Sequence, residues 1–282
     1  MRKLLERTIL SVDRRLVLLA PPGKLPSFFK RVEVDPAAHR RRVREMQALR
    51  GGVYLRDGAV QPQDLSADGL HQTPEDDQSW HVLMLNENQS LDSCIWYLEH
   101  ENSVGLEDLR ARHCPLALRS ASRDTFRKAI ETEIKLARQD GIKYAESGGW
   151  AVTERCRCST EGLVLALAAF SLGNICGGVL ALSTATSRHK SSEILRRMGG
   201  SLLSVDGEQI PSYFDPKYKC EMDLLRFDSR RPNRKYLGLV EMLRDKLAEV
   251  LVIARPAIAP VSELSRIFNP TDLAIRPSVA AA

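Results

Sequence analysis

Apolar positions recur along the chain with two periods, and the places where the period changes predict the elements. The run PAAHRRRVREMQALR, residues 36–50, opens on a proline and spaces Val43, Met46 and Leu49 along one helical face, with Gly51 and Gly52 just beyond. Proline near the start and glycine past the end are helix start and stop signals, so a helix closing at residue 50 is expected. A polar loop with Asp64, Asp68, Glu75, Asp76 and Asp77 follows. WHVLMLN and SLDSCIWYLEH then read as two strands joined by a turn over Asn86–Gln89. A helix from about Ser122 to Gln139, closed by Gly141, leads into the strand-like YAESGGWAVTERCR. Ser191–Met198 reads as a short helix before Gly199 and Gly200, CEMDLLRF as a strand, and Tyr236–Val252 as a helix with Leu239, Met242, Leu243 and Leu247 on one side.

Residues 162–182 carry no charge and are long enough to cross a bilayer. Gly173, Asn174, Gly177 and Gly178 fall in the middle, where a turn belongs. The stretch therefore reads as a buried helix (about 160–173), a turn and a buried strand (about 179–185), with no membrane span. Helices interleaved with strands in this order predict an α/β fold with one mixed central sheet flanked by helices. Residues 1–36 hold Pro21, Pro22, Pro26 and Pro36 and are expected to form an extension wrapping the surface or packing on its edge. The main domain is placed at 37–252 and a tail at 253–282.

Composition narrows the class. The chain has 282 residues, 43% of them apolar, which suffices for one large domain. The 41 basic residues exceed the 36 acidic ones by five. They gather at Arg40–Arg44, Arg196–Arg197 and Arg226–Lys235 without an interleaved aromatic stripe, which argues against a nucleic-acid role. Six cysteines are scattered, and the single close pair, Cys156 and Cys158, fits neither a zinc knuckle nor a disulfide framework. The six histidines show no metal-ligand spacing. Charged residues interrupt the apolar pairs near the N-terminus, so a secretory signal is not expected. A cytoplasmic protein with reduced thiols and no metal is the expectation.

The most informative segment runs from Glu146 to Thr160. A strand with Glu146 near its start enters a loop with Arg155 and Arg157, and Ser159 or Thr160 can cap the next helix. The free N–H groups and partial positive charge of that helix end suit a phosphate-bearing ligand. A capped helix with two solvated arginines is the plain alternative.

Residues of about 45–205 resemble the GNAT superfamily of acyltransferases, in particular its branch of acyl-homoserine-lactone synthases and N-acyl amino acid synthases. Arg50-Gly-Gly-Val53-Tyr54 is similar to an early Arg-x-x-Val-Phe of those synthases. Glu75-Asp76-Asp77 stands where they carry an acidic loop before the strand beginning Trp80. Glu146-Ser-Gly-Gly-Trp150-Ala-Val152 keeps the Glu, aromatic and Val of their Glu-x-Ser-Arg-Phe-x-Val. Thr184-Ala-Thr186-Ser187 followed by Ile194-Leu-Arg-Arg-Met-Gly199 is similar to their next strand and helix. Three departures stand out. Gly148 and Gly149 replace the Ser-Arg pair, and an Arg expected on the preceding strand falls at or beside Trp96. The Gly-rich pyrophosphate signature of acetyl-CoA members is absent after Val152.

The resemblance implies an N-acyltransferase moving an acyl group, long-chain by expectation, from acyl carrier protein or acyl-CoA to an amino acid or other small amine. Transfer is direct, so no cysteine need act as nucleophile and no cofactor is held permanently. Glu146 is the candidate base that takes the amine proton. The backbone around Val152 and Thr153, with Arg155, Arg157, Ser159 and Thr160, is the candidate donor site, and His189, at a helix start, reads as a solvated cap with contact to the donor phosphate as the alternative. Arg50, Asp76, Asp77 and Trp150 are assigned to the amine substrate, and Thr184 and Thr186 to an acyl tunnel. The block Pro211–Pro216 is expected to border the acceptor pocket. Arg196 and Arg197 are the expected docking patch for an acidic carrier protein. An acetyl-CoA-dependent transferase and a catalytically silent acyl-thioester binding module are the alternatives.

Overall fold

Every residue from Trp80 to Leu85 is buried, and the hairpin they begin is the frame on which a large sheet is built. The computed structural model describes residues 2–10, 15–23 and 25–256. The first elements are α1 (Arg2–Leu10), β1 (Leu16–Leu19), β2 (Arg31–Val34), α2 (Pro36–Arg56), β3 (Trp80–Leu85) and β4 (Leu91–Glu99). Next come α3 (Pro115–Leu118), α4 (Ser120–Gln139), β5 (Lys143–Val152), α5 (Glu161–Ile175), β6 (Val179–Thr186) and α6 (Ser191–Met198). The chain continues with β7 (Ser201–Leu202), β8 (Ser204–Val205), β9 (Glu208–Gln209), β10 (Tyr213–Asp215), β11 (Cys220–Asp228), α7 (Leu237–Leu247) and β12 (Leu251–Ala254). Ten strands form one sheet in the order β10-β11-β6-β5-β4-β3-β1-β12-β2, with β7 also on β11, while β8 and β9 pair apart.

Alternation along each strand sorts side chains to two faces. Leu16, Leu18, Val82, Met84, Ile95, Tyr97, Val179, Ala181, Leu225 and Phe227 join α5 and α7 in one core. On the other face, Val17, Leu19, Leu83 and Cys94 pack beneath α2, and Tyr144, Leu180, Leu182 and Leu224 beneath α4. The uncharged stretch 162–182 is the inner helix α5 followed by β6, and among the described residues no helix is long and apolar enough to cross a membrane.

Three expectations differ from the structure. α2 does not stop at Gly51 but continues to Arg56. Gly51 is there for close approach: a Cβ on it would stand 2.3 Å from the carbonyl oxygen of Gly69. The helix expected through Val252 ends at Leu247, and Leu251–Ala254 pairs in parallel with β1, burying side chains on both faces of the sheet. The segment before residue 37 does more than line the surface, because β1 sits between β3 and β12 inside the sheet and β2 forms its edge. The proposed tail begins inside β12; from residue 257 onward it lies outside the described residues.

Candidate active site

β5 and β6 run in parallel from Lys143↔Val179 to Ser147↔Ser183, and there the pairing stops. β5 continues beside β4 as far as Ser93↔Val152, and β6 continues beside β11 as far as Met222↔Thr186. The two strands therefore part, and a cavity of about 630 Å³ opens over the gap. The parting coincides with a β-bulge: Gly149 and Trp150 together face Ile95, between the pairs Cys94↔Ala151 and Trp96↔Gly148. An extra residue bends the bulged strand and increases its twist.

Glycine is required at the bulge for two reasons. Gly149 has φ +65°, and the Trp96 indole lies directly on the Gly148–Gly149 backbone. A Cβ would meet Trp96 at 2.7 Å from Gly148 and at 2.2 Å from Gly149. The Gly-Gly pair and Trp96 are thus one exchange of side-chain volume across two paired strands.

Arg50, on α2, reaches the cavity from the opposite side. Its guanidinium is fully buried and is fixed through Nη2 to Asp76 at 2.6 Å and to the carbonyl of His71 at 2.7 Å. Burial works against the charge of Arg50, but the hydrogen bond and charge of Asp76 outweigh it and hold the guanidinium above its usual range. Burial likewise pushes Asp76 up, and the bonds from Arg50, Gln47 and Thr73 overcome that and keep it low. Among the described residues Nε and Nη1 of Arg50 have no hydrogen-bond partner, and Nη1 lies 3.2 Å from the point a Cβ on Gly149 would occupy. Unpaired donors on a buried cation are costly, so a group that accepts from either one gains strongly.

Glu146 also lines the cavity, one residue before the last β5–β6 pair. Its Oε2 accepts from the Arg110 backbone N–H at 2.9 Å and faces His100 Nε2 at 3.1 Å; Oε1 accepts from the Ala111 N–H at 3.0 Å. A carboxylate has about four lone-pair sites. Three are taken, and the remaining one is on Oε1. These bonds also fix Arg110, whose guanidinium stacks over Trp96 at 5.6 Å and pairs with Glu75 at 3.3 Å.

The other residues named from sequence separate into two groups. Trp150, Thr184 and Thr186 line the cavity, as do Tyr213 and Asp215 of the Pro211–Pro216 block. Asp77 does not: its carboxylate faces solvent and pairs with Arg255 at 3.1 Å. The loop from Thr153 to Thr160 lies beside the cavity rather than in its lining. Thr153 donates its N–H to Asp92 at 2.8 Å, which removes it from the expected donor contacts, while Val152 is the last β5 residue paired with β4. Arg155 pairs with Asp92, Ser159 accepts from the Glu161 N–H at 3.1 Å, and the Thr160 hydroxyl lies 2.9 Å from that of Thr8. Arg157 binds Asp57, which does line the cavity. Asp92, Cys156 and Glu161 stand together, but Arg15 and Arg155 already neutralise the carboxylates and burial pushes the thiol to about 11.

Sequence reasoning missed Asp57, His71, Arg110, Arg188 and Lys217, all of which line the cavity. They come from a helix end and from loops, where no period marks an inward-facing side chain. His71 is kept neutral by burial and by the charge of Arg50, which lower its pKa to about 4.

No protein-family model matches the chain, and no curated protein matches it. Solved structures do. One is a CoA-dependent acyl-homoserine lactone synthase, BjaI, with SAM and isopentyl-CoA, 11% identical, covering 90% of this chain and 99% of that one at a TM-score of 0.50. The chain shares the fold of BjaI. A second is TofI in a ternary complex with an inhibitor and MTA, 14% identical, covering 83% of this chain and 99% of that one, also at 0.50. The mixed sheet flanked by helices expected from the sequence is the architecture observed, and it is the fold shared with BjaI and TofI.

Proposed function

We propose that the chain is an N-acyltransferase that moves an acyl group from a phosphopantetheine thioester, acyl-CoA or acyl carrier protein, onto the amine of a small acceptor that also bears a carboxylate. The observation that carries this reading is Arg50: a buried guanidinium, fixed on one side by Asp76, with Nε and Nη1 unpartnered at the cavity over the parted strands. An α-amino acid supplies both the carboxylate for Arg50 and the attacking amine. BjaI, which shares the fold, is described with SAM and isopentyl-CoA, an amine-bearing molecule and an acyl thioester.

The donor's pantetheine arm is taken to enter between β5 and β6, whose peptide groups past Ser147 and Ser183 have no partner across the gap. The amine nitrogen attacks the thioester carbonyl carbon, the C–S bond breaks, and the thiol leaves with a proton. Glu146 takes the amine proton through its one unused site on Oε1 and passes it to the leaving sulfur. Backbone N–H groups of β5 beyond Ser147 that point into the gap rather than toward β4 are suited to the oxyanion.

An apolar recess of about 50 Å³ on the α5 face shares Ile95, Ser147 and Leu195 with the main cavity and is closed by Phe170, Met198 and Phe227. That volume takes roughly four water-sized groups. It supports an acyl tail of a few carbons, with a longer chain requiring those side chains to move.

The test is thiol release by purified protein from acyl-CoAs and acyl carrier protein thioesters of several lengths, with pooled amino acids. Amine-dependent release that Glu146→Gln lowers by about 100-fold or more in kcat is expected. Release from acetyl-CoA alone would make it an acetyltransferase. Donor binding without release across a wide acceptor set would overturn catalysis.

A further inference from the structure

Three segments meet where β5 and β6 part. α2 ends at Asp57, the loop after β5 brings Arg157, and the turn after β6 brings Arg188 and His189. Nη2 of Arg157 donates to both carboxylate oxygens of Asp57 at 2.6 Å. His189 Nε2 stands 3.7 Å from the same carboxylate. Arg188 donates Nη1 to the Asp57 carbonyl and Nη2 to the carbonyls of Tyr218 and Lys219, both at 3.2 Å. One carboxylate thus ties the loop of one parting strand to the turn of the other.

The two arginines at this mouth are unequally paired. Arg188 spends its hydrogen bonds on carbonyls, so among the described residues no carboxylate is set against its charge. Lys217 lines the same cavity. Asp57 is the anion shared by Arg157 and His189, and Arg56 reaches it only at 3.4 Å. The turn that presents Arg188 is held in an uncommon backbone, with φ +55° at His189 and +60° at Lys190. A phosphate has the charge and the acceptor geometry to replace a carboxylate on an arginine fork. The Asp57–Arg157 pair is partly exposed, and pairs of that kind contribute little to stability, so exchange is cheap.

We propose that Asp57 is an intramolecular competitor for the donor's phosphate: it clasps Arg157 across the mouth of the cleft, and a phosphate ester at the head of the pantetheine arm displaces it on binding. The proposal rests on the acyl-thioester reading above and adds a residue that sets donor affinity without touching the reacting atoms. CoA and the carrier-bound arm both present such a phosphate.

The experiment measures equilibrium binding of CoA, phosphopantetheine and pantetheine to wild type, Asp57→Asn and Arg157→Gln, with circular dichroism to verify the fold. Asp57→Asn is expected to bind CoA and phosphopantetheine about five-fold tighter and pantetheine no differently. Arg157→Gln is expected to lose the advantage of the phosphate-bearing ligands over pantetheine. A gain for both ligands supports exchange with the phosphate next to pantetheine, whereas a gain for CoA without phosphopantetheine would overturn it and point to the nucleotide phosphates. Folded Asp57→Asn with unchanged or weaker phosphate binding would overturn the clasp and leave the donor reading standing. If Asp57→Asn does not fold, Arg157→Gln decides alone: an undiminished preference for CoA over pantetheine overturns the clasp. Failure of all three ligands to bind wild type and variants alike would remove the donor reading and the clasp together.

Discussion

Arg50 shows how one residue's surroundings decide what it can do. Among the described basic residues it is the one that stands with the largest fully buried side chains. A carboxylate on one side stabilises the charge, and the donors left over are held rigid at the cavity. Arg50→Met removes that charge but leaves Asp76 buried against Gln47 and Thr73. The expected outcome is a fall of about 100-fold in kcat/KM for carboxylate-bearing acceptors, with little change for the matching decarboxylated amines. Equal losses for both would show that Arg50 acts on the fold rather than on the acceptor. Arg50 and Glu146 were legible in the sequence because short motifs flank them. Trp96 was legible only as a departure, and its meaning appears once the indole is seen lying on Gly148 and Gly149.

At the scale of elements, glycines set the geometry in opposite ways. In sequence, Gly51 and Gly52 look like a helix stop, yet α2 runs through them because Gly51 lets the helix touch the Gly69 backbone. Alanine is a better helix former than glycine by about 1 kcal/mol. Gly51→Ala should nonetheless destabilise the protein, by roughly 2 kcal/mol, because the new methyl has only backbone to push against. Urea unfolding of the variant measures this, and stabilisation would refute the close-approach account. The same helix carries Arg50, so a shift of α2 also moves the candidate acceptor site.

At the scale of the whole molecule, buried histidines make stability depend on pH. His39, His71 and His81 lie on or beside α2 and β3, and burial is the first cause lowering each pKa. For His71 and His81 it falls from 6.5 to about 4. His39 and His81 each place Nε2 against a backbone carbonyl, and among the described residues Nδ1 of all three has no partner, so protonation would bury an unpaired donor. The unfolded chain takes up protons first as pH falls from about 6.5, and the folded chain follows only near 4, so this stability is lost across that window. Unfolding free energy at pH 5 should lie on the order of 4 kcal/mol below its value at pH 7.5. Glu133, held up by burial, works in the opposite direction as a single group. Urea titrations at the two pH values check this, and a flat profile would mean the histidines are hydrated.

The sequence by itself determined what depends on neighbours along the chain. Periods of two and of 3.6, with turn residues between them, placed the β3–β4 hairpin, α4, α5, β6, α6 and β11 within a few residues. What depends on distant contacts was decided only by the tertiary structure. LVLL at residues 16–19 and LVIA at 251–254 are too short to carry a period, and they become strands because each pairs with the other. The parting of β5 from β6 follows from a bulge that Trp96 and two glycines impose from neighbouring strands. Asp77 leaves the cavity and Asp57 enters its mouth because loops are aimed by the elements they join. Local pattern fixes which face of an element is apolar, but only packing decides which polar side chains face one another across a cleft.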